Sequence, residues 1–204
     1  MRYSLKGQFV FRGVRDADYK LVPKVGRLRP YKKSLEKDIL YQFKRYARPL
    51  LEHDIKNDWE LLATAQHCGL PTRLLDWTSN PLVAAFFATE GQGETDGAIY
   101  VLNARWLVDT TKQSPFQVRD VMVFQPPHIT RRIAAQAGHF TIHPRPAEPL
   151  DRRTIDKLII PKRLRRAFQF MLHGYGIHRG TLFPDLDGQA QVIEWEARVN
   201  TGEW

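Results

Sequence analysis

QHCGLPTRLLDWTSNPLVAAFFA, Gln66–Ala88, is the stretch whose reading decides the fold. Cys68-Gly69 predicts a helix stop, because glycine adopts the left-handed conformation of a C-terminal cap at no steric cost. Asn80-Pro81 predicts the next helix start, with Asn80 as N-cap and Pro81 at the first helical position. Between them Thr72, Arg73, Asp76, Trp77, Thr78 and Ser79 read as a loop dense in polar side chains, facing a helix N-terminus. Such a terminus is a natural anion site, so this loop is expected to bind a ligand. Pro81–Thr89 is almost wholly apolar and predicts a short helix buried on most sides.

Working outward, QFVFRG (Gln8–Gly13) predicts a strand. Ser34 is expected to cap a helix in which Leu35, Ile39, Phe43, Tyr46 and Leu50 recur at helical spacing, with Pro49 kinking or ending it. Asn57 and Glu60 resemble a capping box for a second helix reaching Gln66. Downstream, GQGETDG (91–97) is turn-rich and AIYVLN (98–103) predicts a central strand. VMVFQPP (121–127) and HFTIHP (139–144) are further strand candidates. A helix over Pro161–His173 is expected to turn Leu164, Phe168 and Met171 inward and Arg163, Arg165 and Arg166 outward, and a last helix to cover Gln189–Val199. With no repeat, low-complexity tract or linker, the expectation is a single α+β domain over residues 1–204, its mixed or antiparallel β core flanked by helices.

At 204 residues with 43% hydrophobic content, the chain can bury a real core and is far from the composition of disorder. No apolar run approaches the roughly 18 residues of a membrane span, and MRYSLKGQFVFRG lacks the apolar core of a secretion signal. The single Cys68 rules out an intrachain disulfide and disfavours a cysteine-based zinc site. The expectation is therefore a cytoplasmic protein without a membrane. A balance of 31 Lys+Arg against 22 Asp+Glu leaves +9, which suits anionic partners or a solvated basic surface. The basic residues recur in RLRPYKK, KRYAR and RRTIDKLIIPKRLRR, so any basic face must be assembled by folding.

Arg12 lies within an apolar strand and needs a carboxylate or phosphate, because burying it unpaired is costly. Asp16, Asp18 and Asp76 are candidate partners, a ligand pyrophosphate the alternative. Arg73 and Asp76 sit close enough in TRLLD to pair with one another. Thr78 and Ser79 precede a helix that Asn80 already caps, which leaves their hydroxyls for a ligand. His67 ends a helix as a capping or packing residue, or as a base. FQPPHITRRIAAQAGHF brings His128, Arg131, Arg132 and Gln136 ahead of a strand, and Asp185 and Asp187 of LFPDLDG read as turn and cap residues. The phosphate loop, the dinucleotide glycine motif, the paired-histidine zinc motif and the esterase elbow are all missing, and the seven histidines show no metal-ligand spacing.

FVFRG, QHCGLPTRLLDWTSNPLVAAFFA and FQPPHITRRIAAQAGHFTIH together resemble the FRG domain family, whose Phe-Arg-Gly triplet stands here as Phe11-Arg12-Gly13. Members of that family are often found in bacterial and phage-related contexts. A weaker resemblance is to ADP-ribosyltransferases, in which an aromatic-Arg-Gly strand is followed by a Ser-Thr-Ser motif feeding an apolar helix. It implies an ADP-ribosyltransferase-like fold with NAD as substrate, and a bacterial toxin or phage-defence effector. Carried over, Arg12 and Gly13 would hold the dinucleotide, and Thr78 and Ser79 would take the last two places of the Ser-Thr-Ser motif, with Trp77 in place of the first serine. His67, Arg73 and Asp76 join them as expected cofactor-binding residues, and Arg12, Ser79, Gln136 and Glu194 as expected catalytic ones. For the acidic residue, Gln136, Glu194, Glu196, Asp185 and Asp187 stay open. The acceptor would be nucleic acid or an acidic protein, with a regulatory or antitoxin partner. The alternative is a non-catalytic module that recognises a nucleotide or nucleic acid through Arg12, Arg73, Arg131 and Arg132. A nuclease built on His67 or His128 with Asp76 ranks last, because no metal-binding or paired-histidine pattern supports it.

Overall fold

The computed structural model describes residues 9–51, 54–105, 107–126, 130–151 and 155–202, so Gln8, Pro127 and His128 of the readings above lie outside the described residues. Six strands, β1 (Phe9–Val14), β2 (Leu74–Thr78), β3 (Gly97–Asn103), β4 (Met122–Phe124), β5 (Gly138–Ile142) and β6 (Ile155–Ile160), form one sheet in the order β4-β5-β2-β1-β3-β6. All neighbouring strands pair antiparallel, so of the two β cores expected it is the antiparallel one. The helices are α1 (Lys33–Ala47), α2 (Asp58–His67), α3 (Pro81–Thr89), α4 (Arg131–Ala135), α5 (Arg165–Gly174), α6 (Arg179–Leu182) and α7 (Leu186–Thr201).

The deciding stretch is corrected in one respect: Leu74–Thr78 is not a loop but strand β2, inside the sheet between β5 and β1. Leu74, Leu75 and Trp77 are buried, so LLDWT packs on both faces, a pattern masked in sequence by the polar residues that punctuate it. The flanking signals hold. Asn80 accepts from the Leu82 N–H at 2.9 Å, Asn57 caps α2 through the N–H groups of Trp59 and Glu60, and Gly69 takes φ 81° after α2.

The register sorts the core. Leu74 opposite Ile142 and Asp76 opposite Phe140 lie on one face, where Leu74, Phe140 and Ile142 pack against Trp59 and Leu62 of α2. Val10, Leu75, Trp77 and Leu102 pack together in a second cluster with Leu21 and Leu150. A third joins Ala84, Ala85 and Ala88 of α3 to Ile99, Ile160 and Leu172. Here α3 touches the sheet backbone: a Cβ at Gly13 would lie 1.9 Å from the Ala84 carbonyl oxygen, and one at Gly97 would lie 2.2 Å from that of Ala88. The glycine of Phe-Arg-Gly thus lets the buried helix seat on β1.

Two helix faces and one helix cap differ from expectation. Ser34 lies inside α1, whose buried residues are Glu36, Leu40 and Ala47, while Leu35, Tyr46 and Leu50 are exposed. The face turns because Glu36, a charge no periodicity search would place inside, is paired there. Arg165 of α5 is buried rather than outward, donating to the carbonyls of Thr95 and Arg15, while Leu164 and Met171 are exposed. In α7 the N-cap is Asp185, accepting from the Gly188 N–H at 2.7 Å, in place of Asp187. Short helices α4 and α6 have no counterpart in the sequence reading. Among the described residues, no helix is long and apolar enough to cross a membrane.

Candidate functional site

β1 and β2 share a single Cα pair, Phe11 opposite Thr78, and the gap beside it is bridged by a side chain. Arg12 donates through Nη1 to the Asp76 carbonyl oxygen at 2.6 Å, the kind of acceptor a neighbouring strand would otherwise use. The same nitrogen lies 3.5 Å from Asp76 Oδ2. Asp76 Oδ1 accepts from Gln66 Nε2 at 2.9 Å, and Gln66 Oε1 accepts from Thr72 Oγ1 at 2.5 Å. Thr72 Oγ1 in turn accepts from the Leu74 N–H at 3.1 Å, so a polar chain runs from the turn before β2 to Arg12. Gln66, Thr72 and Asp76 are spaced along one sequence motif because they form one network.

This network lies in the wall of a cleft of about 500 Å³. Phe11, Thr78, Gly138 and Phe140 of the sheet line it, together with the C-terminal end of α2, Phe87 of α3, and Arg132 and Gln136 at α4. Its cations are Arg12, Lys24 and Arg132, and among the described lining residues Asp76 is the sole carboxylate. Lys24 donates to the Gly69 carbonyl at 2.5 Å, and the Arg132 guanidinium lies 4.2 Å from the centroid of the Phe183 ring. Burial lowers the pKa of Arg12 against the opposing attraction of Asp76, and burial likewise lowers that of Arg132. Both remain charged at neutral pH, since an arginine starts so high. His67, depressed first by burial and then by Arg132, is neutral at pH 7. A cleft with such a surplus of positive charge attracts anions, and Arg12 and Arg132 supply the forked donors that suit phosphate oxygens.

Of the residues singled out in sequence, Arg12, Gly13, His67, Asp76, Thr78 and Gln136 meet at the cleft. Several are occupied. The Thr78 hydroxyl donates to the Gln136 carbonyl at 2.7 Å and accepts from the Asn80 N–H at 3.0 Å, so it is not surplus to capping. The Gln136 carboxamide donates to the Leu182 carbonyl at 3.1 Å. Trp77 borders the cleft, but its indole is buried and donates to Thr141 Oγ1 at 2.9 Å.

Others stand elsewhere. Arg73 does not pair with Asp76: its Nε and Nη2 bind Glu36 at 2.8 and 2.6 Å, and at 1% exposure it is closed to any ligand. Tyr31 donates to the same carboxylate at 3.1 Å. Ser79 is exposed outside the cleft lining, its N–H bound to the Ala137 carbonyl. Glu194 projects from α7, paired with Arg198 at 2.7 Å, and borders a different cavity. Glu196 binds His173, and Asp185 is spent on its cap. None of the acids considered in sequence lines the cleft, whereas Asp76, read as a ligand contact or scaffold, does. Lys24 and His139 also line it; no spacing or motif in the sequence marks either. Among the described residues, no group of three or more His, Cys, Asp or Glu side chains is arranged to hold a metal.

No curated protein and no solved structure matches this chain. The family model of the FRG domain matches residues 7–97, which carry Arg12, Lys24, Gln66, His67, Asp76 and Thr78 of the cleft. Over those residues the chain is similar to the FRG domain family.

Proposed function

We propose that the cleft binds NAD and that the protein is an ADP-ribosyltransferase-like enzyme. The observation that carries this reading is the convergence of Arg12 and Arg132 on a cleft whose described lining has one carboxylate, Asp76. The two guanidiniums would grip the diphosphate, and the part-exposed rings of Phe11 and Phe87 offer faces for the base and the nicotinamide. Asp76, rather than Gln136 or Glu194, would stand beside the ribose. Nicotinamide departs by heterolysis of its glycosidic C–N bond, the electron pair leaving with the ring nitrogen. The ribose cation that develops is stabilised by a carboxylate. An acceptor oxygen then bonds to that carbon and releases its proton to water. With water as acceptor, the protein hydrolyses NAD. With +9 net charge the acceptor class is nucleic acid or an acidic protein, and depletion of NAD or modification of such an acceptor would suit a toxin or phage-defence effector.

One observation favours a second reading, a binding module without turnover: Gln66 and Arg12 already engage both Asp76 carboxylate oxygens. Incubation with NAD, alone and with nucleic acid or acidic protein, separates the two. The enzyme reading expects nicotinamide release, abolished by Asp76→Asn while NAD still binds. Binding with no release under any condition favours the module, and absence of binding removes both.

A further inference from the structure

A second cavity of about 500 Å³ lies between the end of α3 and helices α5, α6 and α7. Phe86, Ile177, Val192 and Trp195 line it, with His173 and His178. Along Leu186–Thr201 only Gly188 and Val192 are buried, so α7 leans on this cavity rather than on packed core. Its aromatic members form a ladder of rings. Trp195 stacks on His173 with centroids 4.7 Å apart and planes at 22°, and His173 lies 5.0 Å from His178. His173 Nε2 is 2.9 Å from Glu196 Oε1, which orients that imidazole.

Electrostatically this cavity is the opposite of the cleft. Its charges are matched in pairs, Arg179 with Glu90 and Arg198 with Glu194. A charged ligand would therefore gain no net attraction and would forfeit its hydration. The carboxamide of Gln191 at the rim offers both a donor and an acceptor.

We propose that this cavity binds a neutral, planar heteroaromatic ring of nucleobase size. Aromatic walls favour flat π surfaces over aliphatic ones of equal area, and paired charges select for neutrality. This site is independent of NAD binding in the cleft, so it is tested with nucleosides that carry no phosphate.

The full chain, with its indole and backbone resonances assigned, is titrated with adenosine, cytidine and, as an aliphatic control, cyclohexanol. Saturable shifts at Trp195, Ile177 and Val192 with the nucleosides, and none with cyclohexanol, are expected. Trp195→Leu should weaken nucleoside binding by at least about fivefold, the scale of one lost base–aromatic stack, while Trp195→Phe largely retains it. Should Trp195→Leu fail to fold, Val192→Phe, which fills the cavity from the preceding turn of α7, should abolish the shifts. Arg12→Gln, which disables the cleft, should leave them in place. The proposal is overturned by equal binding of cyclohexanol, by shifts confined to Arg12, His67 and Arg132, or by no saturation at millimolar nucleoside.

Discussion

Two arginine–carboxylate pairs meet at β2, and they do different work. Just before the strand, Arg73 and Glu36 are both buried and joined by two hydrogen bonds, with Tyr31 donating a third to the carboxylate and Phe116 stacked 4.8 Å from the guanidinium. Within it, Arg12 meets Asp76 through one close bond to a carbonyl and a long contact to the carboxylate, whose side chain is 60% exposed. The first pair is closed off from solvent, with three hydrogen bonds to the Glu36 carboxylate, and ties α1 to the start of β2. The second keeps donors and a carboxylate facing an open cleft. The two differ in access: the first is shut to solvent, while the second leaves its charges within reach of a ligand.

The sharpest way to break this comparison is to cut each pair. Arg73→Met strands a buried Glu36 carboxylate and should cost roughly 3–5 kcal/mol in chemical denaturation, a large share of a domain's stability. Arg73→Met combined with Glu36→Leu should recover most of that loss. A mild effect of the single change would mean that the buried pair is no lock. Next in size is Gly13→Ala, where the new methyl meets the α3 backbone. It should cost about 1–3 kcal/mol and lower the melting temperature whether or not ligand is present. Asp76→Asn should change stability by less than about 1 kcal/mol, as expected for an exposed partner. If it unfolds the protein instead, the Arg12–Asp76 pair is structural as well.

The smallest effect is a pH dependence. Burial holds the folded-state pKa of His67 and His178 below the ordinary 6.5, so below that pH the unfolded chain binds protons that the folded chain resists. Stability from these two groups is fully present above pH 6.5 and declines as the pH falls toward their folded values. Denaturation midpoints at pH 7.5 and 5.5 should differ in that sense, and His67→Gln should reduce the difference.

Much of this molecule was legible in its residues, and what escaped has physical causes. Asn57, Gly69 and Asn80 announce their caps because capping chemistry is local. The buried helix at Pro81–Thr89 and the triplet at Phe11-Arg12-Gly13 were likewise plain. Strand β2 was hidden because Thr72, Asp76 and Thr78, which look like loop residues, bond to Gln66, Arg12 and Gln136 from other elements. The inner face of α1 was missed because Glu36 goes inside only when Arg73 is there to meet it. The site divides in the same way. Arg12 was evident as a cation in an apolar strand, whereas the choice of Asp76 over Glu194 depends on where α7 lies, and no spacing along the chain reports that.

The central claim is that Arg12 and Arg132 make the cleft a dinucleotide-diphosphate site. Calorimetric titration of NAD into the wild type, Arg12→Gln and Arg132→Gln, with melting curves showing that each variant is folded, tests it most directly. The account predicts wild-type binding that weakens with added salt, and a loss of at least about tenfold in each folded variant, as expected when charge-assisted bonds to phosphate are removed. Equal affinity in all three proteins, or no binding to the wild type, would contradict it.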